Sequence, residues 1–221
     1  MSIIVSMISK NGGVVCSDGR KYSSILIKED ETSDDKARIE SDNYNKTCII
    51  QNKLVGAYCG LLDFSNKNIS EHISQIVENE LHLNYEEIVT LIETELKNKL
   101  LQISVDEIRF RSRKIDLLLV GRRDKKRMQI SALRFFPDND AIISSKEIVI
   151  TDGGNKYYSF GDDNAQKSAV AVLNNNKAPN TDISFLIKLS KNAINAGINY
   201  SGYHPYSDEK SCGGNVYSRS I

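Results

Sequence analysis

The chain has 221 residues, 29 basic and 29 acidic side chains, a formal net charge of zero, and a 40% hydrophobic fraction. That length suits one large domain, 1–221, with a core that needs no staple. Balanced charge supplies no global field toward nucleic acid or an anionic membrane, so neither is expected as a partner.

The first twenty residues contain two β-rich runs around Asn11-Gly12, a strong local signal for a hairpin. The second run ends in Asp18-Gly19-Arg20. From about 21 to 45 the apolar patch Ile25-Leu26-Ile27 leads into the charge run from Lys28 to Lys36, which reads as a solvated insertion. Two further β-runs, Lys46 to Ile50 and Leu54 to Cys59, are joined by Gln51-Asn52-Lys53 as a second hairpin. Beyond Leu61 the period becomes helical: Ile69, Ile73, Ile76, Val77 and Leu81 share one face, then Ile88, Leu91, Ile92 and Leu96 share another. Ser65 and Asn84 are the expected N-caps.

Strands return in Ile115 to Val120 and Met128 to Leu133, flanking the charged turn from Arg122 to Arg127, which a hairpin tip needs simply to stay solvated. Ile148 to Ile150 and Lys156 to Phe160 flank Asp152-Gly153-Gly154 and read as another hairpin. Two more helices are expected over Asp162 to Leu173 and Thr181 to Asn195, the latter capped by Thr181 or Asp182, before a last strand from Asn215 to Ile221. This order of elements gives an α+β fold. No apolar run approaches the roughly 18 residues that span a bilayer, and the opening run is short and lacks a basic flank, so a cytoplasmic protein is expected. Cys16, Cys48, Cys59 and Cys212 read as small buried hydrophobes, and His72, His82 and His204 have no ligand spacing, so neither a metal nor a cofactor is expected.

The opening hairpin followed by Asp18-Gly19-Arg20 resembles the N-terminal-nucleophile hydrolases of the proteasome β-subunit type, which open on a nucleophilic Thr, Ser or Cys, then a strand, a turn, and a second strand ending in Asp-x-Arg. Removal of Met1 leaves Ser2 first, with a hydroxyl and a free α-amine on one residue, a nucleophile and its base. Lys46 before the second hairpin and Gly60 at its end have the family's separation, although the segment between Arg20 and Lys46 is longer than is usual there. Lys36 lies nearer but lacks a hairpin at the right distance. Near the C terminus, Asp208-Glu209-Lys210-Ser211-Cys212-Gly213-Gly214 resembles the family's Asp-x-x-Ser-Gly-Gly with one residue extra. Aligned on acid and serine, the partners are Asp208 and Ser211; aligned on the glycines, they are Glu209 and Cys212. Asp208 and Ser211 are taken here.

The resemblance implies a four-layer αββα sandwich and a threonine-type peptidase mechanism run by Ser2 through an acyl-enzyme ester. It implies Asp18 and Lys46 as the groups that tune the amine, Gly60 as the oxyanion donor, and Asp208 and Ser211 as supports of the nucleophile's amino end. Asp162 stands where the family carries a serine before its third helix, and Ser6 where it carries a glycine. With Met1 retained, Ser2 cannot act as its own base, and the expected protein is then a catalytically silent assembly subunit. Peptide or unfolded polypeptide as substrate, a homo-oligomer and, by analogy, an unfoldase are the implied partners.

Overall fold

The computed structural model describes residues 2–22, 38–103, 114–138, 141–151, 154–176, 182–203 and 209–221. The Ile25–Ile27 patch and the charge run after it, the Asp152-Gly153 turn, Thr181, His204 and Asp208 lie outside them.

Strands β1 (Ile3–Ser9) and β2 (Gly12–Ser17) form the opening hairpin, pairing Ile4 with Ser17 and Ser9 with Gly12. Its two-residue loop is Lys10-Asn11, one position earlier than expected, and Gly12 already belongs to the ladder. Short strands β3 (Lys21–Tyr22) and β4 (Ile39–Ser41) pair across the expected insertion. Strands β5 (Thr47–Ile50) and β6 (Leu54–Gly60) form the second hairpin, with Gln51 and Asn52 at positive φ in its turn. A miniature hairpin of β7 (Asp63–Phe64) and β8 (Lys67–Asn68) then precedes helix α1 (Ile69–Val77). Ser65 sits at φ 49° in that turn, so the expected cap there is corrected to Asn68.

Helix α2 (Tyr85–Leu101) follows, and strands β9 (Ile115–Arg122), β10 (Met128–Asp138), β11 (Ala141–Ile150) and β12 (Lys156–Gly161) come next. Helices α3 (Asp163–Asn175) and α4 (Ile183–Tyr200, capped by Asp182) lead to strand β13 (Tyr217–Ser220). Asn68 and Asn84 each accept from the backbone N–H of a glutamate three residues on, Glu71 and Glu87, whose carboxylates accept the caps' own N–H in return. Such caps are typically worth about 1 kcal/mol each and fix where a helix begins.

The larger sheets are antiparallel, one in the order β12-β1-β2-β13 and the other β11-β10-β9-β6-β5. The hairpin expected from Ile148 to Phe160 is therefore not formed: β11 closes the edge of one sheet against β10, while β12 crosses to the other and pairs with β1. Thr151 marks the crossing, its N–H donating to Met128 O at 3.0 Å.

Strands β1 and β9 are buried at nearly every position, as expected when both faces of a sheet are covered. Ile3, Val5 and Met7 join Ala165, Ala169, Leu186 and Ala193 of α3 and α4, while Ile4 and Ile8 join Val15, Leu118 and Val120. On β9, Ile115, Leu117 and Leu119 meet Ile73 of α1 and Ile88, Ile92 and Leu96 of α2. Period-two alternation thus sends each strand's side chains into two separate cores. Leu81 is 69% exposed beyond the end of α1, so it is not part of that helix's apolar face. The molecule is α+β, and no helix among the described residues is long and apolar enough to cross a membrane.

His72 of α1 is a core histidine, stacked on Phe64 with ring centroids 3.8 Å apart and with Nε2 3.0 Å from Phe64 O, whereas buried Nδ1 has no partner. Burial, with smaller contributions from the Lys99 and Lys67 charges, holds its pKa below the ordinary value. A lowered histidine pKa contributes stability that is complete above the unfolded value, about 6.5, and is lost as pH falls toward the folded value. Melting curves at a series of pH values should show His72→Gln losing less stability than the wild type between about pH 7 and 5. Parallel curves for the two proteins would refute that.

Candidate active site at the seam between the sheets

The site begins with where β1 starts. Asp18, the residue after β2, accepts Ile3 N–H at 3.1 Å on Oδ1 and donates its own N–H to Ile3 O at 3.2 Å, which extends the hairpin ladder by one side-chain-assisted step. Its Oδ2 accepts Gly213 N–H at 3.1 Å, tying the C-terminal segment to the same carboxylate. Lys46 belongs to the other sheet. It leads into β5, and its carbonyl accepts Tyr58 N–H at 3.0 Å, one register step beyond the β5–β6 pairs. From there its side chain crosses the seam, donating from Nζ to Ser2 Oγ at 2.6 Å and to Asp18 Oδ1 at 2.9 Å. Lys46 and Asp18 are both 0% exposed and Ser2 is 6% exposed.

An ammonium and a carboxylate this deeply buried are tolerated only when each satisfies the other and the remaining bonds are made. Here every bond named is made, and the ion pair holds its cation on a serine hydroxyl. Ser2 is also gripped through its backbone, its carbonyl accepting Asp162 N–H at 3.0 Å. Gly161, paired with Ile3, has φ +145°, and a Cβ there would lie 2.2 Å from Ser2 O, so the close approach requires glycine.

Gly60 ends β6 at φ +95°, two residues beyond the partner of Lys46 and therefore on the same margin of the sheet. Ser211 is fully buried and donates from Oγ to Asp162 Oδ2 at 3.1 Å. Asp162 is the residue that the sequence reading marked only as a departure and a helix start, and its bond to Ser211 carried no local signal, since the two are 49 residues apart. Cys212 points into the apolar cluster under α3 and α4, and Glu209 is exposed. Arg20 lies outside this cluster, donating from Nε and Nη2 to Asp42 at 2.7 and 3.1 Å and from Nη1 to Lys210 O at 3.1 Å.

The cysteines offer no competing nucleophile. Burial pushes the Cys16 and Cys48 thiols up to about 12 each, and burial likewise raises those of Cys59 and Cys212, so all four are protonated and inert at neutral pH. Sequence reading also missed Asp116, fully buried beside Cys59 on β9 and bound by Arg134 Nε at 2.6 Å and Lys114 Nζ at 3.4 Å. The basic turn from Arg122 to Arg127 carries its own counter-charge, Arg127 Nη2 lying 2.6 Å from Asp124. A groove of about 480 Å³ runs along α2, lined by Leu83, Glu86, Glu87, Thr90, Leu91 and Thr94, and it shares no residue with the Ser2 cluster.

No family model matches this chain, and no curated protein matches it. Solved structures do. Anbu (ancestral beta-subunit) from Yersinia bercovieri aligns over 99% of this chain and 80% of its own, with 15% identity and a TM-score of 0.63. A Gly-1 mutant of Anbu from Hyphomicrobium sp. strain MC1 aligns over 99% and 80%, with 11% identity and a TM-score of 0.56. Anbu from the same strain in another crystal form aligns over 98% and 80%, with 12% identity and a TM-score of 0.53. The expected kinship with proteasome β-subunits is thereby corrected: these neighbours form a proteasome-like but distinct family. At such identities the likeness is one of fold, and the fold of this chain is proteasome-related.

Proposed function

We propose that this protein is an N-terminal-nucleophile hydrolase that cleaves peptide bonds with Ser2. The observation that carries the reading is the Lys46 ammonium, fully buried, 2.6 Å from Ser2 Oγ and 2.9 Å from Asp18. Once Met1 is removed, the α-amine of Ser2, with an ordinary pKa of about 7.7–8.0, is poised to take the hydroxyl proton at neutral pH. The nearby Lys46 charge favours the neutral, basic form of that amine, and Asp18 fixes Lys46 in place. Attack on a carbonyl gives a tetrahedral oxyanion, for which the Gly60 N–H is the assigned donor; collapse breaks the C–N bond, the α-ammonium of Ser2 returns its proton to the departing amine, and the ester left on Ser2 is hydrolysed by water. Ser211 supports the amino end of Ser2, and the role assigned to Asp208 from sequence stays part of this reading.

The three apolar clusters support a four-layer αββα sandwich in a single domain, 1–221, with α1 and α2 on one outer face, α3 and α4 on the other, and the two large sheets against each other inside. A peptide or unfolded polypeptide as substrate and an assembly of several copies belong to this proposal as what the sequence resemblance implies. Sedimentation of the purified protein as a monomer at high concentration would remove the assembly from this reading.

The test combines intact mass with capture by an electrophile that reacts with an amine and a hydroxyl on one residue. A chain lacking Met1, labelled once at Ser2, with Ser2→Ala neither labelled nor active, is the expected result. Full retention of Met1 with no turnover identifies a silent member of the fold instead, and unchanged hydrolysis by Ser2→Ala removes Ser2 from the mechanism.

A further inference from the structure

We infer that Asp162 is a positioning residue for Ser2, an inference that rests on the hydrolase reading above. Asp162 caps α3, and one of its oxygens suffices for that: Oδ1 accepts Asn164 N–H at 3.1 Å, Ala165 N–H at 3.0 Å and Gly202 N–H at 3.3 Å. The second oxygen is surplus to capping. It accepts the Ser211 hydroxyl at 3.1 Å, in a place where Asp162 is 6% exposed and Ser211 is not exposed at all. Asp162 also holds Ser2 directly, through its N–H on Ser2 O at 3.0 Å.

These bonds close a ring around the nucleophile. From Ser2 Oγ it runs to Lys46 Nζ, to Asp18, from Asp18 Oδ2 to Gly213 N–H, back along the chain through Cys212 to Ser211, then to Asp162 and from its amide to Ser2 O. Gly213 adds a second tie, its carbonyl accepting Gly19 N–H at 3.0 Å beside Asp18. The Ser211–Gly213 segment is thus held between two carboxylates, one on each side of Ser2. A serine in place of Asp162 has one oxygen, a bond closer to the backbone, where the carboxylate has two that diverge, so an oxygen placed for the helix cap no longer reaches Ser211. The carboxylate makes the C-terminal segment and the helix α3 terminus move as one piece with the nucleophile.

The inference separates from a purely structural role because serine is about as good an N-cap as aspartate. Asp162→Ser should therefore keep its melting temperature within a few degrees of the wild type and lose about a hundredfold in kcat, the usual cost of displacing a reacting group by about 1 Å, with KM within about twofold. Ser211→Ala should lose a similar factor. The double variant should be no slower than the slower single one, since both changes break the same link. Wild-type kcat in Asp162→Ser, or losses that multiply in the double variant, would overturn the role of Asp162 while leaving Ser2 as nucleophile. Turnover that survives in Ser2→Ala would instead overturn the underlying reading, and the positioning role with it.

Discussion

Lys46→Met should abolish turnover and destabilise the fold by about 3–5 kcal/mol, the range for removing one partner of a buried ion pair. Methionine has nearly the shape of the lysine stem and no charge, so packing is kept while the cation is lost. Asp18 then remains fully buried with, among the described residues, the Ile3 and Gly213 amides as its donors, at 3.1 Å each. Two backbone N–H groups do not replace an ammonium at 2.9 Å. Adding Asp18→Asn to Lys46→Met removes the stranded charge and should restore part of the stability but none of the activity. Urea unfolding and a peptidase assay on the same samples read both quantities. A Lys46→Met protein as stable as the wild type would show that the pair is not the buried ion pair described, and one that still turns over would remove Lys46 from the mechanism.

Gly60→Ala carries the next largest effect, because both its backbone conformation and its surroundings reject a side chain. At φ +95° an L-residue is strained by about 1–3 kcal/mol. A Cβ would also lie 2.0 Å from Lys114 O and 3.2 Å from Ile115 Cα, backbone atoms of the neighbouring strand that cannot rotate away. Either the end of β6 swings outward or it separates from β9. Both displace the amide assigned to the oxyanion, and losing one such donor typically lowers kcat about 10²–10³-fold. The expected outcome is a protein that folds with lower stability, still captures the electrophile at Ser2, and hydrolyses at least a hundredfold more slowly. Undiminished kcat in a correctly folded Gly60→Ala would take the oxyanion role away from Gly60.

How much of this was legible beforehand depends on the range of the interaction. The hairpins at residues 3–17 and 47–60 are local, and their β-rich runs and turn residues announce them within a few positions. The helices announce themselves through apolar period, although α1 is capped by Asn68 and not by Ser65, which sits with Asn66 at positive φ in the preceding turn. The strands around Asp152 misled, since a turn between two β-runs says nothing about whether the second run stays in the same sheet. That choice was made by Thr151 bonding back to Met128 and by β12 pairing with β1, as far away in sequence as Ile3 is from Gly161.

The α+β order of elements, and the spacing that singles out Ser2, Asp18, Lys46 and Gly60, are written in strands and turns that neighbouring residues carry. The reach of Lys46 from the other sheet to Ser2, the bond from Ser211 to Asp162 and the likeness in fold to the Anbu structures emerge with the packed chain. A buried charge or hydroxyl takes the partner that packing delivers to it. Sheets closed by contacts as distant as Ile3 with Gly161, and a hydrogen bond as distant as Asp18 with Gly213, leave no trace in local pattern.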